Sequence, residues 1–112
     1  MDLSLKPSEG LGVLHLFCKY QSSVDSEKVK KTVSESLDKG IQVVVAVMLG
    51  HKADLALMVL GEDLWDLRDF QSSIDSAGLK VVDSYFSLTE ISEYAAGVPE
   101  EMKQARLYPD LP

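Results

Sequence analysis

A chain of 112 residues that is 46% hydrophobic is one domain of ordinary size, with enough apolar material for a core. A formal net charge of −7 and a pI of about 4.7 argue against nucleic acid and anionic membrane as partners, because both need a basic patch to meet. The single cysteine, Cys18, rules out an internal disulfide, the first ten residues have no signal-peptide core, and no apolar run reaches the ~18 residues of a membrane span, so the expectation is a cytoplasmic protein.

Residues 1–9 are mostly polar and read as an N-terminal arm. Residues 10–20, GLGVLHLFCKY, form the first expected strand. Leu11, Val13, His15 and Phe17 share one face, and Leu14, Leu16, Cys18 and Tyr20 share the other. Ser23 or Asp25 then offers an N-cap for a helix running to about Lys39. Its apolar stripe is Val29, Val33 and Leu37, and Glu27–Lys31 and Glu35–Lys39 have the favourable acid-first spacing. Gly40 is its natural stop.

Residues 41–60 dominate the chain. IQVVVAVML and ADLALMVL are almost wholly apolar, and Gly50, His51 and Lys52 separate them as a hairpin loop. A half-exposed hairpin alternates apolar and polar residues, and this one does not. Both faces therefore need a cover. Val45, in the middle of the driest run, is expected to be buried so deeply that Val45→Asp unfolds the domain. Glu62 and Asp63 then suit the start of a second helix, whose core stripe is Leu64, Leu67, Phe70 or Gln71, and Ile74. It ends at Gly78. Residues 80–89 form the fourth strand, with Val81, Asp83, Tyr85 and Ser87 on one face and Val82, Ser84, Phe86 and Leu88 on the other. A short helix is expected at 90–94, and one or two more turns near 99–106. The closing LYPDLP reads as an extended tail.

The order β-α-β-β-α-β is the ferredoxin-like one: an α+β fold with an antiparallel sheet and both helices on one face. The other face is left to meet a second sheet.

Few residues carry chemistry. His15 sits in an apolar strand and His51 in a turn, and neither belongs to a cluster of zinc type. Cys18 reads as a small core residue, since no base is placed to activate it. Trp65 and Phe70 read as packing groups. There is no GxGxxG and no Walker loop. The exception is the fourth strand, where Asp83, Tyr85 and Ser87 line one face. They read either as the wet side of an edge strand or as the lining for a polar ligand, because hydroxyls donate well to carboxylates.

PSEGLGVLHLFCKY, GHKADLALMVL, DSYFSLTEISEY and ARLYPDLP, in that order, resemble the N-terminal half of the chlorite dismutase-like haem proteins, which include the coproheme decarboxylases. The resemblance spans residues 7–112 and is closest to the decarboxylase branch. It implies two ferredoxin-like domains per subunit, whose sheets join into a dimeric α+β barrel, and subunits that assemble into homo-oligomers, commonly pentamers. It further implies that residues 10–95 are one such domain and that 96–112 are a linker toward a second. That second domain carries haem or coproheme, the axial His and the catalytic Tyr, so no catalytic or metal-ligating residue carries over to this chain. Tyr85 and Ser87 match the SY-x-S segment near the cofactor's propionates, and Lys52, Ala53 and Asp54 match a structural turn. The implied activity of the whole is conversion of coproheme III to haem b with peroxide, in haem biosynthesis, with chlorite breakdown as the sibling reaction. Two alternatives stand beside it. One is a non-enzymatic module that pairs its sheet with a copy of itself. The other is a cofactor-free monooxygenase built on Tyr85, Ser87 and His15.

Overall fold

The computed structural model describes residues 3–90 and 97–111. Strands β1 (Gly12–Tyr20), β2 (Gln42–Val47), β3 (Leu55–Gly61) and β4 (Leu79–Leu88) form one antiparallel sheet in the order β2-β3-β1-β4. Helices α1 (Ser26–Asp38) and α2 (Leu64–Ser76) are the two crossovers, and α3 (Glu100–Leu107) follows β4. The ferredoxin-like α+β fold expected from the element order is what forms. The short helix expected at 90–94 falls largely on residues outside those described.

The core lies between the sheet and the two crossover helices. Leu14, Leu16 and Cys18 of β1 meet Leu55, Leu57 and Val59 of β3, with Leu67, Phe70 and Ile74 of α2 above them. Leu16, Val59 and Ile74 have no exposed surface, and each such side chain contributes about 1.5–3 kcal/mol on burial. Gly12 lets α2 approach this closely, because a Cβ there would lie 2.5 Å from Leu64 Cδ2. Asp25 caps α1, accepting from the Glu27 and Lys28 N–H groups, and Asp63 caps α2 through the Trp65 N–H. Phe70 rather than Gln71 supplies the third core position of α2.

Four expectations change. On α1 Ser36 is buried and Val29 and Val33 are partly buried against the core, while Leu37 is half exposed. A strict four-residue step drifts about 40° per repeat around a 3.6-residue helix, so the third position leaves the core side. The ion pairs on α1 are Glu27–Lys30 (3.5 Å) and Lys31–Glu35 (3.7 Å), not Glu27–Lys31 and Glu35–Lys39. All four side chains stand in water and stabilise little. The β2–β3 loop takes in residues 48–54, and Asp54 ties it to both neighbours: its carbonyl accepts the Met48 N–H, its N–H donates to Cys18 O, and its carboxylate accepts the Tyr20 N–H. Finally, Val45 is 51% exposed and Val47 81%. β2 is an edge strand with β3 on one side only, and the helices above the sheet do not cover its far end.

Candidate functional site

The face of the sheet away from α1 and α2 is where the expected site residues fall. Partners in an antiparallel ladder share a face, so the register defines three rows across it. The first is Gln42, Leu60, Val13 and Ser87; the second is Val44, Met58, His15 and Tyr85; the third is Ala46, Ala56, Phe17 and Asp83. Asp83, Tyr85 and Ser87 thus lie along β4 on this open face. Tyr85 and Ser87 are two residues apart in one strand, about 6.6 Å.

Val81 does not join them. The β1–β4 register shifts between Phe17 and Cys18, so Val81 pairs with Cys18 and packs into the helix-side core. A bulge of this kind inserts one extra residue and re-aims those after it. Val82 is that residue, and it lines a hollow of about 400 Å³ with Phe17, Met48, Lys52, Ala53 and Asp83.

Tyr85 is 63% exposed and Ser87 half-buried. Among the described residues neither hydroxyl has a hydrogen-bond partner, so both are free to donate. The Tyr85 ring is held from the side by His15, with ring centroids 5.9 Å apart and planes tilted by 53°. His15 Nδ1 is buried without a hydrogen bond. Asp83, whose negative charge would oppose an acidic ligand, has one carboxylate oxygen on the Ser84 N–H at 2.8 Å. That bond turns part of its charge back onto its own strand.

These groups could together hold a carboxylate: two uncharged donors, one beside an aromatic neighbour, on a largely apolar sheet face. Cys18 is fully buried, and desolvation pushes its thiol up to about 11, so it stays protonated. His51 stands in the exposed loop, and among the described residues no three His, Cys, Asp or Glu side chains converge on a common point. No helix among the described residues is long and apolar enough to cross a membrane.

Sequence reasoning missed two contributors. Gln42, the polar exception in the β2 run, donates through Nε2 to Pro109 O (2.6 Å) and accepts the Leu111 N–H on Oε1 (2.8 Å). Thr89 accepts the Leu11 N–H and donates to Leu107 O. A lone polar residue in a dry strand was the available signal for the first. Nothing in the local pattern marked the second.

A solved structure described as a novel haem-binding protein from Thermus thermophilus resembles this one, with a TM-score of 0.71 and 22% sequence identity. The match covers 93% of this chain and 51% of that one, so the chain spans about half the length of the protein it matches. At that identity the likeness speaks for the fold. The family model for chlorite dismutase matches residues 23–112, most of the sequence. On that match the chain belongs to the chlorite dismutase family.

Proposed function

We propose that this chain is the N-terminal, non-haem-ligating domain of a haem-dependent oxidoreductase of the coproheme decarboxylase branch, acting in haem biosynthesis in the cytoplasm. The observation that carries the reading is a complete ferredoxin-like fold that accounts for only half of a two-fold longer haem-binding neighbour. The open sheet face supports it: three rows of mainly apolar residues end at β4 in two free hydroxyls and the Asp83 carboxylate. A second ferredoxin-like sheet laid on that face closes a barrel, and subunits built this way assemble into homo-oligomers, pentamers by family precedent. In this reading residues 10–95 are the domain and 96–112 lead toward its partner.

The cofactor, held by the second domain, supplies the redox chemistry of oxidative decarboxylation with peroxide. This chain's own share is binding and orientation. Tyr85 and Ser87 donate to propionate oxygens, the ring of His15 keeps the Tyr85 ring in place, and the apolar rows exclude water. Two neutral donors hold an anion without setting a second charge against it. The same surface accepts haem b or coproheme, and chlorite is the sibling substrate.

The experiment is to join the chain to a second ferredoxin-like domain of the family, add coproheme III and peroxide, and follow the porphyrin by mass spectrometry. Loss of two carboxyl groups as carbon dioxide is the expected result. Intact coproheme, together with breakdown of chlorite when chlorite replaces peroxide, would move the protein to the dismutase branch. Neither reaction, from a chain that forms a stable dimer of its own, would favour the non-enzymatic module.

A further inference from the structure

The end of the described chain is built into the domain rather than trailing from it. Leu107 is 1% exposed, and its carbonyl accepts from Thr89 Oγ1 at 2.6 Å. Tyr108 reaches back so that its hydroxyl accepts the Gly10 N–H at 3.0 Å. Gly10 has φ +79°, and a Cβ there would overlap Thr89, so the crossing admits only glycine. The Gln42 side chain then grips the next turn of chain from both ends, donating to Pro109 O and accepting from Leu111 N–H. A carboxamide used this way imitates one residue of a neighbouring strand. Leu111 itself packs with Met58 against Leu11, Val13 and Leu60, a small cluster separate from the main core, at the first row of the open face.

We propose that residues 107–111 form a strap whose register is set by Gln42, and that this strap reserves one corner of the open face for the chain itself. Leu11, Val13 and Leu60 are already buried under it. The surface left for a second sheet is then the two remaining rows, Val44 to Tyr85 and Ala46 to Asp83, with Ser87 still open at the β4 end of the first. This deepens the reading given above and rests on it only for what occupies those rows. The strap itself is a property of this chain alone. It also gives Gln42 a role: a valine in its place would suit the strand and lose the strap.

The test is amide hydrogen exchange by NMR on the chain alone, without cofactor or second domain, comparing the parent with Gln42→Leu and Gln42→Glu. In Gln42→Leu the β3 amides stay protected, while the Leu111 amide exchanges roughly tenfold faster or more, as expected for loss of its acceptor. Gln42→Glu keeps an acceptor for the Leu111 N–H but loses the donor to Pro109 O, so its Leu111 exchange falls between the two. Leu111 exchange equal to the parent's in both variants overturns the strap. Should Gln42→Leu fail to fold, Gln42→Glu decides alone: faster exchange at Leu111 with intact β3 supports the strap, and parental exchange refutes it. Because no porphyrin is present, a negative result here leaves the coproheme reading standing. A failure of coproheme conversion leaves the strap standing.

Discussion

Gln42–Val47 and Leu55–Gly61 belong to one hairpin and are both almost wholly apolar, yet Leu57 is 1% exposed and Val47 81%. The difference is position. β3 lies between β2 and β1 with α2 above it, whereas β2 is the sheet edge and joins the core only near its start, at Val43. Apolar composition states that a strand tolerates burial; the strand order decides whether burial happens. An uncharged edge strand with exposed valines is a surface that proteins usually blunt with Lys, Pro or a bulge. None of these interrupts β2, and on the proposal above its neighbourhood is where further polypeptide packs.

Substitutions at matched positions break this comparison most directly. Leu57→Asp places a charge in the centre of the core and should cost about 4 kcal/mol or more, a large share of a small domain's ~5–15 kcal/mol, leaving no cooperative melt. Val45 pairs with Leu57 across the ladder. Val45→Asp should cost only about 1 kcal/mol in the isolated chain, because its charge stays in water. Equal losses for the two, read from thermal or denaturant melts, would mean that β2 is covered in solution.

Between those limits lies Cys18, a β1 residue beside β3. Burial raises its thiol from 9.0 to about 11. The folded state therefore keeps its proton longer than the unfolded state. The stabilisation is fully present below pH 9 and is lost as pH rises from 9 to 11, for a total of about 2–3 kcal/mol. Denaturant midpoints should fall across that window in the parent and fall less in Cys18→Ala. At pH 8 the native thiol should stay unreactive toward a disulfide reagent until the chain unfolds.

The other edge, β4, gives the smallest expected effect on the fold and the one that bears on function. In the two-domain protein, Tyr85→Phe with Ser87→Ala should weaken coproheme binding about tenfold to a hundredfold, with melting temperature nearly unchanged, since a hydrogen bond to a charged group is worth roughly 1.5–3 kcal/mol. Unchanged affinity and unchanged turnover would return both hydroxyls to a wet strand edge.

The legible part of the fold was whatever rests on local chemistry. Asp25 is one of two cap candidates for α1 and Asp63 one of two acids marking the start of α2, and the alternation along β1 assigns Leu14, Leu16 and Cys18 to one face before any contact is known. What stayed hidden rests on long-range pairing. The bulge that separates Val81 from Asp83 arises between β1 and β4, the first and last strands of the sheet in the chain. The exposure of Val45 follows from strand order, and the burial of Ser36 instead of Leu37 follows from the drift of a four-residue repeat. For the site, the register of Asp83, Tyr85 and Ser87 could be read along the strand. The His15 ring beside Tyr85 and the turning of Asp83 onto Ser84 required the folded sheet.

The central claim is that this domain shapes a porphyrin site without ligating its iron. Titrating coproheme into the chain alone and into the two-domain protein, with optical spectra recorded for both, addresses it directly. The account predicts a histidine-ligated spectrum only when the second domain is present, unaffected by His15→Ala or His51→Ala. A histidine-ligated spectrum from the chain alone that disappears in either variant would contradict it.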